Sequence, residues 1–168
     1  MEKVVIYASK SGKAEAVARK IGEVKGYPVV SYKEVPTLTA NQEVIYVGSI
    51  YAGQILGLEK VAKELAKAQH VTMVTVGLMD PELAETKKLR KEAVTKAQSK
   101  ADFVVTEHLM LQGTLVLEEL SFPQRTLMKA MYKQGKKNPN GKLVAIVEAI
   151  DQPKPWDLVH VEPMLSEL

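Results

Sequence analysis

The sequence predicts an α/β protein built on an open, doubly wound parallel sheet, and three observations support that prediction. Short runs rich in β-branched residues alternate with amphipathic helical patterns, as expected of successive βαβ units. The first such run, residues 4–7, is apolar on both faces, as a central parallel strand should be. Loops containing glycine or serine follow the first, third and fourth runs, where ligands bind in sheets of this kind.

The first predicted helix follows the strand at 4–7. Its apolar positions recur at helical spacing, and they are Ala14, Val17, Ala18 and Ile21. Gly26 is expected to end this helix, because glycine readily adopts the left-handed conformation of a helix end. A short edge strand over 28–30 begins at a proline, and residues 33–42 are expected to form a loop.

The middle of the chain repeats the alternation of strand and helix twice. Residues 44–47 form the third predicted strand, and the apolar face of the helix after it is Leu58, Val61, Ala62 and Leu65. Residues 71–76 form the fourth strand. Asp80 and Pro81 are expected to begin the next helix as N-cap and first helical residue. The inward positions of that long, charged helix are predicted to be Leu89, Ala93 and Ala97.

The last third of the chain begins with a fifth strand over 103–111, followed by a separate segment at about 112–142. Residues 143–147 are predicted to form a further strand or a continuation of the fifth. Residues 153–168 are expected to form a terminal helix or a tail strapped over the fold. Because no internal repeat or linker is visible, residues 1–168 are expected to form a single domain.

Composition excludes several classes of protein and site. With 46% hydrophobic residues, a chain of 168 residues can bury a core without a disulfide or a metal. The absence of cysteine excludes disulfides, thiolate metal sites and a cysteine nucleophile. No apolar stretch is long enough to cross a membrane and no signal-peptide pattern is present, so a cytoplasmic location is expected. The net charge of +3 is too small to indicate binding of nucleic acid.

The loop after the first strand is the candidate phosphate site. Two hydroxyls, two lysines and a flexible glycine converge there on a helix start, in the order Ser9, Lys10, Ser11, Gly12, Lys13 and Ala14. A helix N-terminus offers unpaired N–H groups and a partial positive charge, which suit a phosphate. The alternative is that Ser11 only caps the helix. For this loop alone both interpretations stay open.

Three other phosphate-binding motifs fail at this loop. A Walker P-loop needs a glycine where the sequence has Tyr7 and a hydroxyl residue where it has Ala14. A dinucleotide fingerprint needs three glycines, and only Gly12 is present. A response regulator needs clustered carboxylates after the first and third strands, and these loops contain none before Glu15.

Two further loops are candidates for holding a planar ligand. The second loop follows the third strand, and its residues are Gly48, Ser49, Ile50, Tyr51, Ala52 and Gly53. Tyr51 offers a flat face between two glycines that permit close backbone approach. The simpler alternative is a strand-to-helix turn with an exposed tyrosine. The third loop follows the fourth strand, and its candidate residues are Gly77, Leu78, Met79 and Asp80.

Together, these loops resemble those of the flavodoxin superfamily. The run from Ser9 to Gly12 looks like its phosphate loop, and the other two look like the loops that enclose the isoalloxazine ring of FMN. The resemblance is closer to flavodoxin-domain proteins related to menaquinone-dependent protoporphyrinogen oxidase, in the loops at 48–53 and 76–81 and in a segment containing Leu120-Ser121-Phe122-Pro123. In that family a mostly helical insertion follows the fifth strand. The resemblance implies a flavodoxin-like strand order of 2-1-3-4-5, with the insertion after or within strand five, and FMN as cofactor.

Three functions follow from this resemblance. The first is an FMN oxidoreductase acting on a quinone or a similar aromatic redox partner. The second is a small electron carrier, although such carriers are usually acidic and this chain is basic. The third is a binding domain that has lost FMN, suggested only by Ala14 at a position where the family usually has a hydroxyl residue. Because the isoalloxazine would carry the chemistry, no catalytic acid or base is assigned.

The predicted insertion combines an apolar stripe with positive charge. The stripe is formed by Leu120, Leu127, Met128 and Met131, and the basic residues are Arg125, Lys129, Lys133, Lys136, Lys137 and Lys142. Such a segment, at about 119–137, could lie on an anionic membrane at its inner face or dock a partner. The simpler interpretation is that it packs on the rest of the fold. A homodimer is also left open.

The three histidines, His70, His108 and His160, show no metal-ligand spacing, so no metal site is predicted and structural roles are expected. A pair formed by Glu107 and His108 for acid–base chemistry is the less favoured alternative.

Overall fold

The computed structural model describes residues 2–115, 117–141, 143–152, 158 and 161–168. The strands are β1 (Glu2–Ala8), β2 (Val29–Ser31), β3 (Gln42–Tyr51), β4 (Gln54–Ile55), β5 (His70–Gly77) and β6 (Val105–Gln112). The helices are α1 (Lys13–Lys25), α2 (Leu58–Leu65), α3 (Ala84–Gln98), α4 (Phe122–Lys137), α5 (Val144–Asp151) and α6 (Glu162–Leu165). Short 3-10 turns cover Tyr32–Glu34 and Leu117–Glu119.

The sheet has the order β2-β1-β3-β5-β6, and all the pairings along this path are parallel. The short strand β4 pairs antiparallel with the end of β3. Strand β4 lies off this path, and the five strands along the path have the predicted doubly wound order. The order reverses between β1 and β3, and ligands bind beyond the carboxyl ends of strands at such a point.

Two apolar layers cover the sheet. Alternate residues of β1 point to opposite faces, so Val4 and Ile6 pack with α2 and α3 while Val5 packs with α1 and α6. Every predicted apolar position of α1 and α2 is buried, which confirms those two helix faces. Gly26 ends α1 in the left-handed conformation, as predicted.

The inward face of α3 differs from the prediction at one position. Ala93 and Ala97 are buried, but the side chain of Leu89 is 37% exposed. The buried face follows a regular three- or four-residue spacing, and its residues are Thr86, Arg90, Ala93, Val94 and Ala97. Leu89 lies outside that stripe, and a buried arginine occupies the next position.

The predicted start of α3 is wrong, and the alternative in which Ser11 caps α1 is excluded. The N-cap of α1 is Gly12, which has a φ of 89°, and Ser11 makes no capping hydrogen bond. The N-cap of α3 is Leu83, so Asp80 and Pro81 precede the helix. The Asp80 carboxylate accepts a hydrogen bond from the N–H of Glu82 at 2.9 Å, which builds a turn before the helix begins.

Residues 143–147 are not a strand, because most of them lie in α5. A short apolar run fits a buried helix as well as a strand, so the pattern alone could not decide. In the structure this run packs as a helix against α4. The two helices approach so closely that a Cβ atom built on Gly135 would lie only 2.7 Å from a methyl carbon of Val147. The insertion therefore ends in a helix pair beside the sheet.

Helix α4 begins with a capping box formed by Ser121 and Gln124. Met128 and Met131 are half-buried, whereas Leu127 is exposed and Phe122 is 80% exposed. The predicted stripe is therefore only partly covered. None of the helices in the described part of the chain is both long and apolar enough to cross a bilayer. The predictions for Lys142, for His160 and for much of 153–168 fall outside the described residues.

Candidate functional site

The three predicted loops meet at one edge of the sheet. Ala8 pairs with Gly48, and Ser49 pairs with Val76, so the ends of β1, β3 and β5 lie side by side. A hydrogen bond joins the first two loops directly, since the N–H of Lys10 donates to Oγ of Ser49 at 3.2 Å. The three predicted segments therefore lie side by side at the carboxyl edge of the sheet, next to the topological switch point.

The first loop has an open helix start. Oγ of Ser9 accepts a hydrogen bond from the N–H of Gly12 at 2.9 Å, and its hydroxyl hydrogen is left to donate. Ser11 is exposed, and α1 has no side-chain cap. Ala14 is fully buried in the core, so only its backbone N–H can contribute to the site. The loop therefore presents hydroxyls and helix N–H groups, as an anion site requires.

The second candidate segment is a β-hairpin and not a strand-to-helix turn. Strand β3 continues to Tyr51, which pairs with Gln54 of β4. Ala52 and Gly53 between them have φ values of 51° and 74°. Positive φ at both central residues is the mark of a type I′ turn. The hairpin was missed because Ala-Gly is a much weaker signal for this turn than Asn-Gly.

The hairpin presents the Tyr51 ring beside the first loop. Tyr51 is 36% exposed, and Nζ of Lys10 lies 4.6 Å from the centroid of its ring. This is a cation–π contact between the two loops. A cationic side chain, a helix start and an aromatic face are thus adjacent in one place.

The third loop is held by its backbone carbonyls. Nη2 of Arg90 donates to the carbonyl of Met79 at 3.2 Å. Nε2 of Gln112 donates to the carbonyl of Leu78 at 3.1 Å, and the N–H of Gly113 donates to the carbonyl of Gly77 at 2.8 Å. Donors from α3 and from the end of β6 therefore fix the loop on its inner side.

A buried polar cluster below this loop was not predicted. The side chain of Arg90 is 3% exposed, and its Nη1 donates to the carbonyl of Thr75 at 3.1 Å and to Oγ1 of Thr75 at 3.2 Å. The same Oγ1 lies 2.9 Å from Nε2 of His108. The helical spacing of Ala93 and Ala97 was a signal for it, because that spacing also places residue 90 on the buried face.

Burial dominates the electrostatics of the cluster. It lowers the pKa of Arg90 to about 10. Burial also lowers the pKa of His108 to about 4, with smaller contributions from the positive charges of Arg90 and Lys91. His108 is therefore neutral at neutral pH. Glu107 is exposed, and as a neighbour on a strand it points to the opposite face, so the two do not form an acid–base pair.

A cleft of about 510 Å³ opens between the third loop and the helix pair. Its apolar wall includes Leu78, Met79, Leu83, Leu115, Val144 and Ala145, and its carboxylates are Asp80, Glu85 and Glu148. The sequence did not predict this cleft, because it depends on residues 144–151 forming a helix. Among the described residues, no cluster of histidine, aspartate and glutamate could hold a metal ion.

Comparison with known proteins finds one matching family and several structural neighbours. Residues 4–141 match the flavodoxin domain family. A flavodoxin from the domain Archaea has 18% sequence identity and a TM-score of 0.50, over 71% of this chain and 88% of that one. Flavodoxin 1 from Bacillus cereus has 17% identity and a TM-score of 0.49, over 71% and 89%. The Trp repressor binding protein from Bacillus subtilis has 10% identity and a TM-score of 0.48, over 92% and 100%.

No curated protein matches the sequence. The structural similarity to the archaeal flavodoxin shows the fold alone, whereas the family match spans most of the chain. The chain therefore belongs to the flavodoxin domain family.

Proposed function

We propose that this chain is a flavoprotein that holds FMN across the three loops at the carboxyl ends of β1, β3 and β5. The observation that carries the proposal is the junction of the first two loops. An open helix start suited to a phosphate lies beside an exposed aromatic ring suited to stacking, and Lys10 of the first loop contacts both Ser49 and Tyr51 of the second. Membership of the flavodoxin domain family supports the same ligand.

The phosphate end of FMN would lie at the start of α1. The helix N–H groups there carry partial positive charge, and no substitution removes them. Ser9 and Ser11 add hydroxyl donors. Lys10 adds a cation on the exposed side of the loop. This donor set fits a phosphate dianion even though Ala14 offers no hydroxyl.

The ring end would lie between the hairpin and the third loop. Tyr51 offers one face, and the half-buried Leu78 and Met79 offer an apolar surface on the other side. A ring stacked on Tyr51 would replace its contact with the Lys10 ammonium, which is worth roughly 0.5–1 kcal/mol at an exposed site. That cost is small beside the free energy of burying a three-ring ligand.

We further propose that the protein is an oxidoreductase whose redox partner is a quinone or a similar aromatic compound. When bound, FMN would supply the electron transfer, and the protein would supply position and electrostatics. The cleft beside Leu78 and Met79 offers an apolar wall next to the proposed ring site. Its described charged residues are carboxylates, which favour a neutral partner over an anionic one. A pure electron carrier has no need of such a cleft.

Titration of the protein into FMN tests the cofactor. We expect saturable quenching of FMN fluorescence with a Kd no weaker than tens of micromolar. Tyr51→Ala should weaken binding about fivefold, which corresponds to about 1 kcal/mol of aromatic stacking. Tyr51→Phe is the matched control, because it keeps the ring and should bind like the wild type. Absence of saturable quenching would show that the family fold here holds no FMN.

Reoxidation of the reduced, FMN-loaded protein by a soluble quinone tests the cleft. Ala145→Trp places a large side chain in the cleft wall formed by α5, on an element separate from the three loops. We expect it to slow reoxidation by quinone several-fold and to leave the Kd for FMN unchanged. Equal reoxidation rates for both proteins would favour the electron carrier, since a carrier exposes its ring edge directly.

A further inference from the structure

We propose that Arg90 is the positive counter-charge for the ligand of the third loop, so that the site favours reduced over oxidised FMN. Arg90 is a positioning residue in this proposal, because it acts through the backbone of the loop from below. The inference rests on the proposed binding of FMN, and it specifies which redox state of FMN the site binds more tightly.

The first step is the burial of an unpaired charge. Arg90 is almost completely buried, and no described carboxylate forms an ion pair with it. Its hydrogen-bond acceptors are the neutral carbonyls of Thr75 and Met79 and the Thr75 hydroxyl. Burial of a cation without a counter-ion is costly, and an anionic ligand at the adjoining loop would offset that cost.

The second step is the location of the charge. Nη2 of Arg90 would lie 3.0 Å from a Cβ atom built on Gly77, and the side chain of Ile50 lies 3.1 Å from the same point. Gly77 therefore has no room for a side chain on its inner side. The guanidinium lies directly against the backbone that would carry the ring, with no solvent layer between them.

The third step is the change in ligand charge. Two-electron reduction of FMN by a hydride donor adds two electrons and one proton, and leaves the ring with one negative charge. A buried cation attracts this charge in a low-dielectric setting and has little effect on the neutral, oxidised ring. His108 beside the guanidinium is neutral, and Lys91 is exposed. Asp80, the acid on the same loop, forms no described ion pair with Arg90 and accepts an N–H at the exposed edge of the cleft, where solvent screens its charge.

The test compares the affinities for oxidised and reduced FMN in four proteins. Arg90→Gln removes the charge and keeps a donor, whereas Arg90→Lys keeps the charge and loses the planar fork. Lys91→Met removes an equal charge from the neighbouring exposed position on α3 and is the control. Both Kd values follow from titration of the oxidised protein and from the two-electron potential of the bound flavin.

In the wild type, we expect reduced FMN to bind at least as tightly as oxidised FMN. Arg90→Gln should weaken binding of reduced FMN about tenfold more than that of oxidised FMN, a fall of about 30 mV in the two-electron potential. Lys91→Met should change this ratio less than about twofold, because solvent screens its charge. Arg90→Lys should keep the ratio within about threefold of the wild type. In Arg90→Lys, amide exchange of the third loop should become faster without ligand.

An equal loss of affinity for both redox states in Arg90→Gln would overturn the proposal, and so would weaker binding of reduced than of oxidised FMN in the wild type. The second result needs no variant, so it decides even if Arg90→Gln does not fold. Failure of the wild type to bind either redox state would instead contradict the proposed cofactor. In that case, unchanged amide exchange of the third loop in Arg90→Lys would also show that Arg90 does not position this loop.

Discussion

At the residue scale, Ser9 and Ser11 have different parts in the first loop. Ser9 closes the turn by accepting the N–H of Gly12, whereas Ser11 is exposed and makes no cap. The sequence shows two serines but not this difference between them, because the difference depends on the positive φ of Gly12. Ser11 is therefore the cleaner probe of phosphate binding.

Ser11→Ala should weaken FMN binding by one to two orders of magnitude, since a hydrogen bond to a charged group contributes about 1.5–3 kcal/mol. Riboflavin lacks the phosphate and should bind the variant and the wild type equally weakly. The free energy of unfolding should not change, because Ser11 caps nothing. Fluorescence titrations with both ligands measure this. An equal loss for riboflavin would place the phosphate elsewhere.

His108 should make stability depend on pH. Its pKa in the folded protein is about 4, below the value of about 6.5 expected when unfolded, so the neutral form stabilises the fold. That stabilisation is complete above pH 6.5 and is lost as the pH falls towards 4. Between pH 7 and pH 4 the wild type should lose about 2 kcal/mol more unfolding free energy than His108→Gln.

Urea unfolding of both proteins across this pH range measures the difference, and the carboxylates that they share cancel in the comparison. Parallel stability curves would mean that the imidazole is not held neutral. The sequence indicated only a structural role for His108, because its burial beside Arg90 and Thr75 arises from the packing of α3 against the sheet.

At the element scale, the structure follows the sequence wherever a segment has a strong period. The faces of α1 and α2 were predicted because their apolar positions repeat at helical spacing, and the central strands because they are short apolar runs rich in β-branched residues. Short elements escaped prediction. Strand β4 has two residues, and the apolar run in α5 becomes helical through its contact with α4.

The hairpin of β3 and β4 leads to a prediction about the two residues of its turn. Ala52 has positive φ, which costs an alanine roughly 1 kcal/mol. Ala52→Asn should stabilise the protein by about 0.5–1 kcal/mol, because asparagine tolerates this conformation and Asn-Gly is the favoured type I′ pair. Ala52→Val should destabilise it, since a β-branched residue is strained there. Thermal unfolding distinguishes them, and the reverse order would exclude a type I′ turn.

At the scale of the whole molecule, the sequence predicted where the three candidate segments lie, and it did not predict the contacts that hold them in place. Parallel strands bring their carboxyl ends to one edge, so segments 9–14, 48–53 and 77–80 had to meet once the strand order was known. The donors that fix the third loop come from α3 and the end of β6, which are distant in sequence. The cleft likewise depends on α5 packing beside the loop.

Hydrogen–deuterium exchange with and without FMN tests the central claim most directly, because it reports which backbone segments the ligand covers. We expect saturating FMN to slow exchange in 9–14, 48–53 and 77–80 together. Riboflavin should protect the second and third segments and leave the first unprotected, since it has no phosphate. Protection confined to the cleft walls on α5, or no protection in the first segment with FMN, would contradict an FMN site at this edge of the sheet.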